Sequence, residues 1–436
     1  MKRLDSLLND DGVPPGPTPA SPRRSGKITA TTRLVAGAFA LGVLVGGGLP
    51  GGEGAVAQSS LTGNATFATL EETWELIHEQ WPEPEEIDDT ALIYGAAKGM
   101  VDAIGDEGHS AFLDPAMAEE YALSREGQFV GIGVEVDARC GVPVISRTMP
   151  GSPAEEAGLQ PGDIIAAVDD VSTRTMNVDG LRELILGKEG DTLTLTIERA
   201  DETDPLSIEV KRRTIEVDAV VWRWLPKQTV HLRIGGFEPG VAKEVRAALE
   251  SARLQGAQRL VLDLRGNPGG LVPEVLGVAS QFMDEGATVF IEQERDGEPR
   301  PMKTVGRDGM WLDLALVVLI DEGSASGAEV LAAALRDNGR AELVGDTTFG
   351  TGTVLSTFPQ EDGSSLVLGT AFWLTPQGEH IWKEGVEPDR VVTLERDAFP
   401  SRPEDDAEVS TSELEGSSDA QLRAAFAALE GDAGDQ

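Results

Sequence analysis

Three short glycine-rich segments hold hydroxyl, carboxylate and guanidinium groups with which this 436-residue chain could do chemistry. They are DLRGNPGG at 263–270, GSASGAE at 323–329 and FGTG at 349–352. A serine hydroxyl is a poor nucleophile at neutral pH, so serine chemistry requires a neighbouring base that accepts the proton.

The residue types give little support for a metal site, a disulfide or nucleic-acid binding. The four histidines, at positions 78, 109, 231 and 380, show no HExxH spacing, and one cysteine cannot build a structural zinc cluster. We therefore predict no metal site and no cofactor. Cys140 has no second cysteine with which to form an intrachain disulfide. The formal net charge of -39 repels phosphate backbones, so nucleic acid is not an expected partner.

The elements that must position these segments change in type along the chain. Apolar residues at helical spacing predict two helices between residues 67 and 105. From residue 129, short β-type runs separated by Gly, Pro and Asp turns predict a β-rich module. Between 215 and 395, apolar strands such as 260–264 and 314–320 alternate with helical patterns, which predicts an α/β layer fold.

The three segments together, followed by GVEPD at 385–389, resemble the motifs of the carboxyl-terminal processing peptidases, also called tail-specific proteases. The similarity extends over about residues 67–392. It implies an α/β multidomain protein with a helical N-terminal region, a PDZ-type β-rich module and a peptidase core of the crotonase-like type. It also implies a serine-type peptidase that hydrolyses peptide bonds.

The resemblance assigns the catalytic positions. The middle serine of the SAS motif is the nucleophile in the family, and that position is Ser326 here. The family uses a lysine base twenty-five positions later and a glutamine one helical turn beyond it. These positions are Thr351 and Leu355 in this chain, and neither side chain can accept the proton.

Other parts of such a site are present. Asp263, Arg265 and Glu329 match family residues, and we expect them to form an ion-paired brace beneath the site. Gly269 and Gly270 match the loop whose amides form an oxyanion hole with the amide after the nucleophile, here Gly327. Glycines at these positions are equally compatible with a purely structural turn.

A histidine could replace the missing lysine. His109 lies in GDEGHSAFLDP, where the family and the related tricorn-type peptidases often carry a D-x-H-S/T pattern. In the tricorn type this histidine is catalytic, but members with a lysine base carry it too. His109 is therefore the candidate substitute base, ahead of His380 and Lys383 near the GVEPD ending.

The region from 127 to 213 resembles the inserted PDZ domain of the family, including GSPAEEAGLQPGDII at 151–165. A PDZ module adds an extended peptide to a strand edge, and backbone N–H groups of a glycine-containing loop hold its terminal carboxylate. The predicted loop is Gly131-Ile132-Gly133-Val134. The expected partners are proteins or peptides with exposed C-termini.

The uncharged stretch at 34–49 follows several basic residues and predicts a membrane-inserting helix. The residues after 50 are then translocated. Ala-Val-Ala at 55–57 resembles a signal peptidase site. The expected location is the cell membrane, with a single span and an extracytoplasmic catalytic domain, or secretion after cleavage near Ala57.

These features divide the chain into five parts. They are the n-region and membrane segment (1–57), a helical N-terminal part (65–126), a PDZ domain (127–214), a peptidase core (215–395) and an acidic C-terminal tail (396–436), which includes a short helix at 420–429. Two functions follow: a membrane-targeted, extracytoplasmic serine endopeptidase that captures C-terminal tails, or a catalytically silent peptide-binding scaffold.

Overall fold

A computed structural model describes most of the chain after residue 65. The described residues are 33–34, 66–106, 109–124, 128–139, 142–174, 176, 178–216, 218–306, 311–395, 398–405 and 408–431. The helices among them are α1 (Phe67–Gln80), α2 (Asp89–Asp102), α3 (Pro115–Ser124), α4 (Pro153–Glu156), α5 (Val178–Ile185), α6 (Val241–Leu254), α7 (Val272–Phe282), α8 (Gly327–Asp337), α9 (Thr411–Gly416) and α10 (Ala420–Gly431).

The strands fall into one group before residue 217 and a second group after it. The first group is β1 (Arg33–Leu34), β2 (Ala111–Leu113), β3 (Gln128–Gly131), β4 (Val134–Arg139), β5 (Val142–Thr148), β6 (Ile164–Val168), β7 (Val171–Ser172), β8 (Thr192–Glu198), β9 (Leu206–Lys211) and β10 (Arg213–Glu216). The second is β11 (Val220–Leu225), β12 (Thr229–Ile234), β13 (Arg259–Asp263), β14 (Thr288–Glu294), β15 (Arg300–Lys303), β16 (Ala315–Ile320), β17 (Glu342–Gly345), β18 (Thr353–Pro359), β19 (Ser365–Leu374) and β20 (Arg390–Val391).

The β-rich module is an antiparallel sheet in the order β4-β5-β6-β8-β9, and β7 pairs with β6. Its core is formed by aliphatic side chains such as Ile145, Ile165 and Leu193, which are fully buried. Leu181 of α5 packs into the same core. The chain enters and leaves the module through β3 and β10, which pair with each other antiparallel. The module is thus inserted between the helical N-terminal part and the core through one two-stranded ribbon.

The core domain is built around the sheet β11-β12-β13-β16-β17-β20, in which β12 to β20 run parallel. Alternate residues of each strand point to opposite faces. Leu260 and Leu262 of β13 pack in the cluster that contains α6, α7 and α8, whereas Val261 packs in the cluster that contains α10. The apolar run in β13 therefore exists because helices cover both faces of the sheet, and the predicted α/β layers are confirmed.

The C-terminal segment differs from the predicted acidic tail. The helix predicted at 420–429 is present as α10, but the segment is not a separate acidic tail. Leu422, Phe426 and Leu429 recur at helical spacing and are buried against Val261 and Leu319 of the core sheet. The apolar face of α10 covers a face of the core sheet that would otherwise be exposed to water. Burial of this apolar surface stabilises the packed helix, although the residues around it are acidic.

The predicted membrane segment lies almost entirely outside the described residues. Only Leu34 of that stretch is described, and together with Arg33 it forms β1, which pairs antiparallel with β4. Among the described residues, no helix is both long enough and apolar enough to cross a membrane.

Candidate active site

Ser326 lies at the point where the loop after β16 turns into α8. Its backbone has φ 51° and ψ -115°, outside the common regions for a residue with a side chain. Such a conformation costs about 1–3 kcal/mol and persists only where the surrounding contacts impose it. The loop supplies these contacts, because Ser324 Oγ donates to the carbonyl of Leu264 at 2.8 Å and accepts from the Asp321 N–H at 3.0 Å.

The buried carboxylate of Glu329 organises the backbone around Ser326. It accepts hydrogen bonds from the N–H groups of Ser326 (2.8 Å), Gly350 (2.7 Å) and Thr351 (3.0 Å), and from Thr348 Oγ1 (2.6 Å). Burial raises the pKa of Glu329, while these four hydrogen bonds act in the opposite direction. One side chain therefore ties the start of α8 to the 348–351 segment.

Two of the three candidate oxyanion glycines have backbone N–H groups available for a ligand. The N–H of Gly269 donates to Asn267 Oδ1 at 2.8 Å, so Gly269 shapes the loop instead. The N–H groups of Gly270 and Gly327 have no acceptor among the described residues. A Cβ atom on Gly269 would lie 2.7 Å from Ser326 Cβ, and one on Gly327 would lie 3.4 Å from the Gly270 nitrogen. These two N–H groups thus lie close together beside Ser326.

Thr351 occupies the lysine position and lies directly against Ser326. It is buried, and its Oγ1 accepts a hydrogen bond from the Ser326 N–H at 3.2 Å. Leu355, at the glutamine position, is fully buried among Leu113, Tyr121 and Val367. Neither residue supplies a base, and no described side chain forms a hydrogen bond with the Ser326 hydroxyl.

His109 and Asp106 form a buried pair close to the same segment. His109 Nδ1 lies 3.2 Å from Asp106 Oδ1, and the buried Nε2 atom has no hydrogen-bond partner in the part of the chain that the structure describes. The His109 ring meets the ring of Phe349 edge-on, with 5.3 Å between centroids, and the Phe349 N–H donates to the Ser324 carbonyl at 3.0 Å. The pair is therefore linked through Phe349 to the nucleophile loop.

Asp106 is held as a carboxylate. It also accepts hydrogen bonds from Ser110 Oγ at 2.7 Å and from Trp382 Nε1 at 2.8 Å. Burial acts to raise the pKa of Asp106, but the hydrogen bonds from His109, Ser110 and Trp382 outweigh it and lower the pKa to about 2. An ionised carboxylate on Nδ1 favours the tautomer that carries its proton there, which leaves Nε2 as an acceptor.

The expected brace of Asp263, Arg265 and Glu329 forms only in part, since Glu329 makes the separate contacts described above. Arg265 donates to both Asp263 oxygens through Nε (2.9 Å) and Nη2 (2.7 Å). Its Nη1 donates to Asp419 at 2.9 Å, so the C-terminal segment takes the place expected for Glu329. Burial acts to raise the pKa of Asp263, but Arg265 and His231 hold it well below its usual range.

His231 is another buried member of this hydrogen-bond network. Its Nδ1 accepts from Arg223 Nε at 3.3 Å, so Nε2 carries the proton and donates to Asp263 Oδ2 at 2.9 Å. Burial lowers the pKa of His231, which is therefore neutral. This histidine donates to Asp263, and no hydrogen bond joins it to Ser326 among the described residues.

The His380 and Lys383 side chains show no contact with Ser326 among the described residues. The exposed His380 ring packs edge-on against Phe372. The Lys383 ammonium lies over the Trp382 ring, 4.3 Å from its centroid. Its backbone N–H, however, donates to the Gly350 carbonyl at 2.8 Å, so the residue supports the 349–352 segment.

The predicted carboxylate loop of the β-rich module, Gly131-Ile132-Gly133-Val134, also has free donors. The carbonyls of Ile132 and Gly133 accept from the Ala154 and Met149 N–H groups at 2.8 and 2.9 Å. The N–H groups of Ile132 and Gly133 have no acceptor among the described residues. Gly133 has φ 77°, and a Cβ there would lie 2.3 Å from Ser152 Cβ, so only glycine fits.

Comparison with known proteins agrees with this arrangement. The description "Peptidase family S41" matches residues 228–392, and "PDZ domain" matches residues 144–199. The carboxy-terminal processing protease CtpA of Bacillus subtilis (strain 168) is 35% identical over 331 residues, which cover 76% of this chain and 70% of CtpA. The chain belongs to the carboxy-terminal processing proteases of family S41.

Other similar proteins give the same result. A CtpA-like serine protease of Staphylococcus aureus (strain MSSA476) is 32% identical over 342 residues, covering 78% of this chain and 67% of that protein. Among solved structures, the photosystem II D1 C-terminal processing protease is similar at a TM-score of 0.53 and 26% identity, covering 78% of this chain and 89% of that one. This member of family S41 is thus a serine-type peptidase by descent, with a PDZ domain.

Several residues of the peptidase site were not found from the sequence. Asp106 stands three residues before His109, and that spacing was the available signal. Thr348, which donates to Glu329, directly precedes the FGTG segment. Nothing in the sequence indicated Asp419 as the partner of Arg265, because the two residues are 154 positions apart and Asp419 lies in a segment of acidic composition.

Proposed function

We propose that this protein is an active, membrane-tethered serine endopeptidase of the C-terminal processing type, with Ser326 as nucleophile and His109 as base. The observation that carries the proposal is the strained backbone of Ser326 beside the N–H groups of Gly270 and Gly327, which have no acceptor among the residues described. A strained serine and free donors in a buried loop each cost stability, and this cost supports a role in binding or catalysis.

The proposed reaction uses these groups in order. Ser326 Oγ attacks the scissile carbonyl carbon as its proton passes to His109 Nε2, and Asp106 stabilises the imidazolium that forms. The N–H groups of Gly270 and Gly327 hold the developing oxyanion. His109 then returns the proton to the leaving amine, and an acyl-enzyme remains. Water, deprotonated by the same histidine, releases the carboxylic acid and regenerates Ser326.

The PDZ domain is proposed to recruit the substrate. The N–H groups of Ile132 and Gly133, which have no acceptor among the described residues, suit a terminal carboxylate. An extended tail would add to the edge of β4 in place of β1, which pairs there in this structure. Peptides with a free, apolar C-terminus should therefore bind more tightly than their amidated forms. Calorimetry measures this difference, and equal affinity of the two forms would remove the carboxylate-capture role.

The membrane tether is proposed from the uncharged 34–49 segment alone. It places the PDZ domain and the core outside the cytoplasm. A chain lacking residues 1–57 should then be soluble and monodisperse without detergent, because the strongly acidic remainder lacks the one long apolar run. Size-exclusion chromatography tests this, and aggregation that only detergent prevents would contradict it.

A specific observation favours a second candidate function. No described side chain bonds the Ser326 hydroxyl, and Thr351 replaces the family lysine. A catalytically silent protein that binds C-terminal peptides or regulates another protease would show the same features.

A fluorophosphonate probe separates the two functions, because an activated serine reacts with it and an inert hydroxyl does not. The full chain should be labelled, and Ser326→Ala should not be. Labelling must also coincide with hydrolysis of an unfolded protein substrate. Absence of both in folded protein would leave the silent scaffold as the function.

A further inference from the structure

The indole of Trp382 contacts the Asp106–His109 pair, and the proposed reaction gives it no role. Trp382 is half-buried, and its Nε1–H donates to Asp106 Oδ1 at 2.8 Å across 276 positions of the chain. It stands three residues before the GVEPD segment at 385–389. The helical N-terminal part, which supplies the pair, therefore meets the core domain at this hydrogen bond.

The backbone of Trp382 is fixed against the 349–352 segment. The N–H of the next residue, Lys383, donates to the Gly350 carbonyl at 2.8 Å. A Cβ atom on Gly352 would lie 2.4 Å from Trp382 Cα, so only glycine allows this close approach. Lys383 has φ 65°, a conformation that the surrounding contacts must impose on a residue with a side chain. The position of Trp382 is therefore set by that segment.

The ring of Trp382 is fixed as well. The Lys383 ammonium lies 4.3 Å from the centroid of the indole, and the Phe372 ring lies 5.5 Å from it at an interplanar angle of 61°. The same ammonium would lie 3.8 Å from a Cβ atom on Gly105, the residue before Asp106. A cation over an aromatic face and a tilted aromatic neighbour both stabilise one ring orientation. They favour the orientation in which the indole N–H reaches Asp106.

Both oxygens of the Asp106 carboxylate are held. Oδ2 accepts from Ser110 Oγ at 2.7 Å, and that hydroxyl accepts from the Gly369 N–H of β19 at 3.0 Å. Oδ1 accepts from Trp382 and also faces His109 Nδ1 at 3.2 Å, which the two lone pairs of one oxygen allow. Without the indole N–H, the imidazole would be the one hydrogen-bond partner of Oδ1 among the described residues, and the carboxylate and the ring could turn together.

The same 349–352 segment is also tied to Ser326. The Glu329 carboxylate accepts from the Ser326 N–H at 2.8 Å and from the Gly350 N–H at 2.7 Å. The Gly350 carbonyl accepts from the residue that follows Trp382. Hydrogen bonds and short lengths of chain thus lead without a break from Ser326 to the indole.

We propose that Trp382 is a positioning residue for the base, because its indole N–H sets the orientation of the Asp106 carboxylate that His109 faces. Since the indole is anchored to the 349–352 segment, it also sets where the imidazole stands relative to Ser326. Misplacement of a base slows the reaction, because proton transfer requires hydrogen-bond distance. The inference rests on the proposed peptidase function and adds the residue that aligns its base.

The test compares Trp382→Phe with the wild type in the full chain purified in detergent, alone and in an Asp106→Asn background. Phenylalanine keeps an aromatic ring and removes the N–H. Trp222→Phe is the matched control, since Trp222 is also half-buried and packs edge-on against Trp224 of β11. The rate of Ser326 labelling by a fluorophosphonate and the free energy of unfolding at several pH values are measured, and circular dichroism confirms folding.

We expect Trp382→Phe to slow labelling about tenfold, because a hydrogen bond to a charged group is lost. In the Asp106→Asn background the same substitution should cause no further slowing, because residues that act through each other are not additive. Trp222→Phe should be labelled at the wild-type rate. A purely structural tryptophan would slow labelling by the same factor in both backgrounds, and that result would overturn the inference.

The pH dependence of stability gives a second readout, which does not require activity. Burial acts to raise the pKa of Asp106, and the hydrogen bonds that it accepts, including that of Trp382, lower it to about 2. Loss of the indole N–H should raise this pKa towards the unfolded value of about 4. Trp382→Phe should therefore lose more stability at pH 7 than at low pH, and this loss should shrink as pH falls from about 4 to about 2. The neighbouring Lys383 ammonium is present in both proteins, so it does not contribute to the difference.

The outcomes distinguish this inference from the function on which it rests. If the wild type is not labelled, the proposed peptidase function fails, and the pH dependence of stability alone decides the role of Trp382. A loss of stability that is equal at all pH values, or labelling of Trp382→Phe at the wild-type rate, would overturn that role. If Trp382→Phe does not fold, 3-benzothienylalanine incorporated at position 382, which keeps the shape of the indole but has sulfur in place of the N–H, decides by the same comparisons.

Discussion

The identity of the base is the most consequential question about this site, and His109→Gln addresses it directly. The substitution removes the only imidazole that the described structure links to the nucleophile loop, through Phe349. Glutamine preserves a polar side chain beside Asp106. General-base catalysis contributes about 10²–10⁴-fold to rate, or about 3–5 kcal/mol. We expect fluorophosphonate labelling of Ser326 to slow by a factor in that range.

A rescue experiment makes this prediction sharper. Thr351 Oγ1 already lies 3.2 Å from the Ser326 nitrogen, so a lysine at this position would start beside the nucleophile. The position is buried, which lowers the pKa of a lysine and favours the neutral amine that a base requires. Thr351→Lys in the His109→Gln background should recover labelling. Thr351→Met, which has similar length but no base, should not.

The first rescue experiment uses Thr351→Lys without Leu355→Gln. Leu355 is fully buried among apolar side chains, so an amide there would lose packing and leave polar atoms unpaired at a cost of about 1–3 kcal/mol. His380→Gln serves as the histidine control, since that exposed ring packs against Phe372. Labelling that is unaffected by His109→Gln would refute the histidine base. Rescue by Thr351→Met would refute the reasoning from the lysine position.

Three further predictions concern the supporting structure. Gly270→Ala should abolish labelling, because the added Cβ would lie 2.6 Å from the Phe237 carbonyl oxygen; Gly286→Ala, also at positive φ but in open space, should not. Asp106→Asn should lower the free energy of unfolding by up to about 2 kcal/mol at pH 7. Because the folded pKa is lowered to about 2, this difference should shrink as pH falls from about 4 to about 2, which denaturation at several pH values can measure. Leu429→Ala should lower the free energy of unfolding by about 2–5 kcal/mol, because Leu429 is buried. Leu254→Ala, at a 90% exposed position, should leave the free energy of unfolding almost unchanged. Equal thermal unfolding midpoints for the two variants would contradict the packing of α10.

The sequence by itself determined the family, and it predicted the order of the parts and Ser326 as the nucleophile. Short motifs carry this information because their chemistry depends on local order: a serine at a helix start and glycines that only a tight loop requires. The alternation of apolar strands and helices likewise predicted the α/β layers, because burial on both faces leaves a continuous apolar run such as 260–264.

Only the tertiary structure decided which distant residues meet. It paired Arg265 with Asp419 instead of Glu329, and it packed the predicted helix of the acidic C-terminal segment against the core sheet. It also brought His109 against Phe349, although 240 positions separate them (349 minus 109). Such pairings are set by how sheets and helices pack in three dimensions, and local composition and spacing carry no record of them.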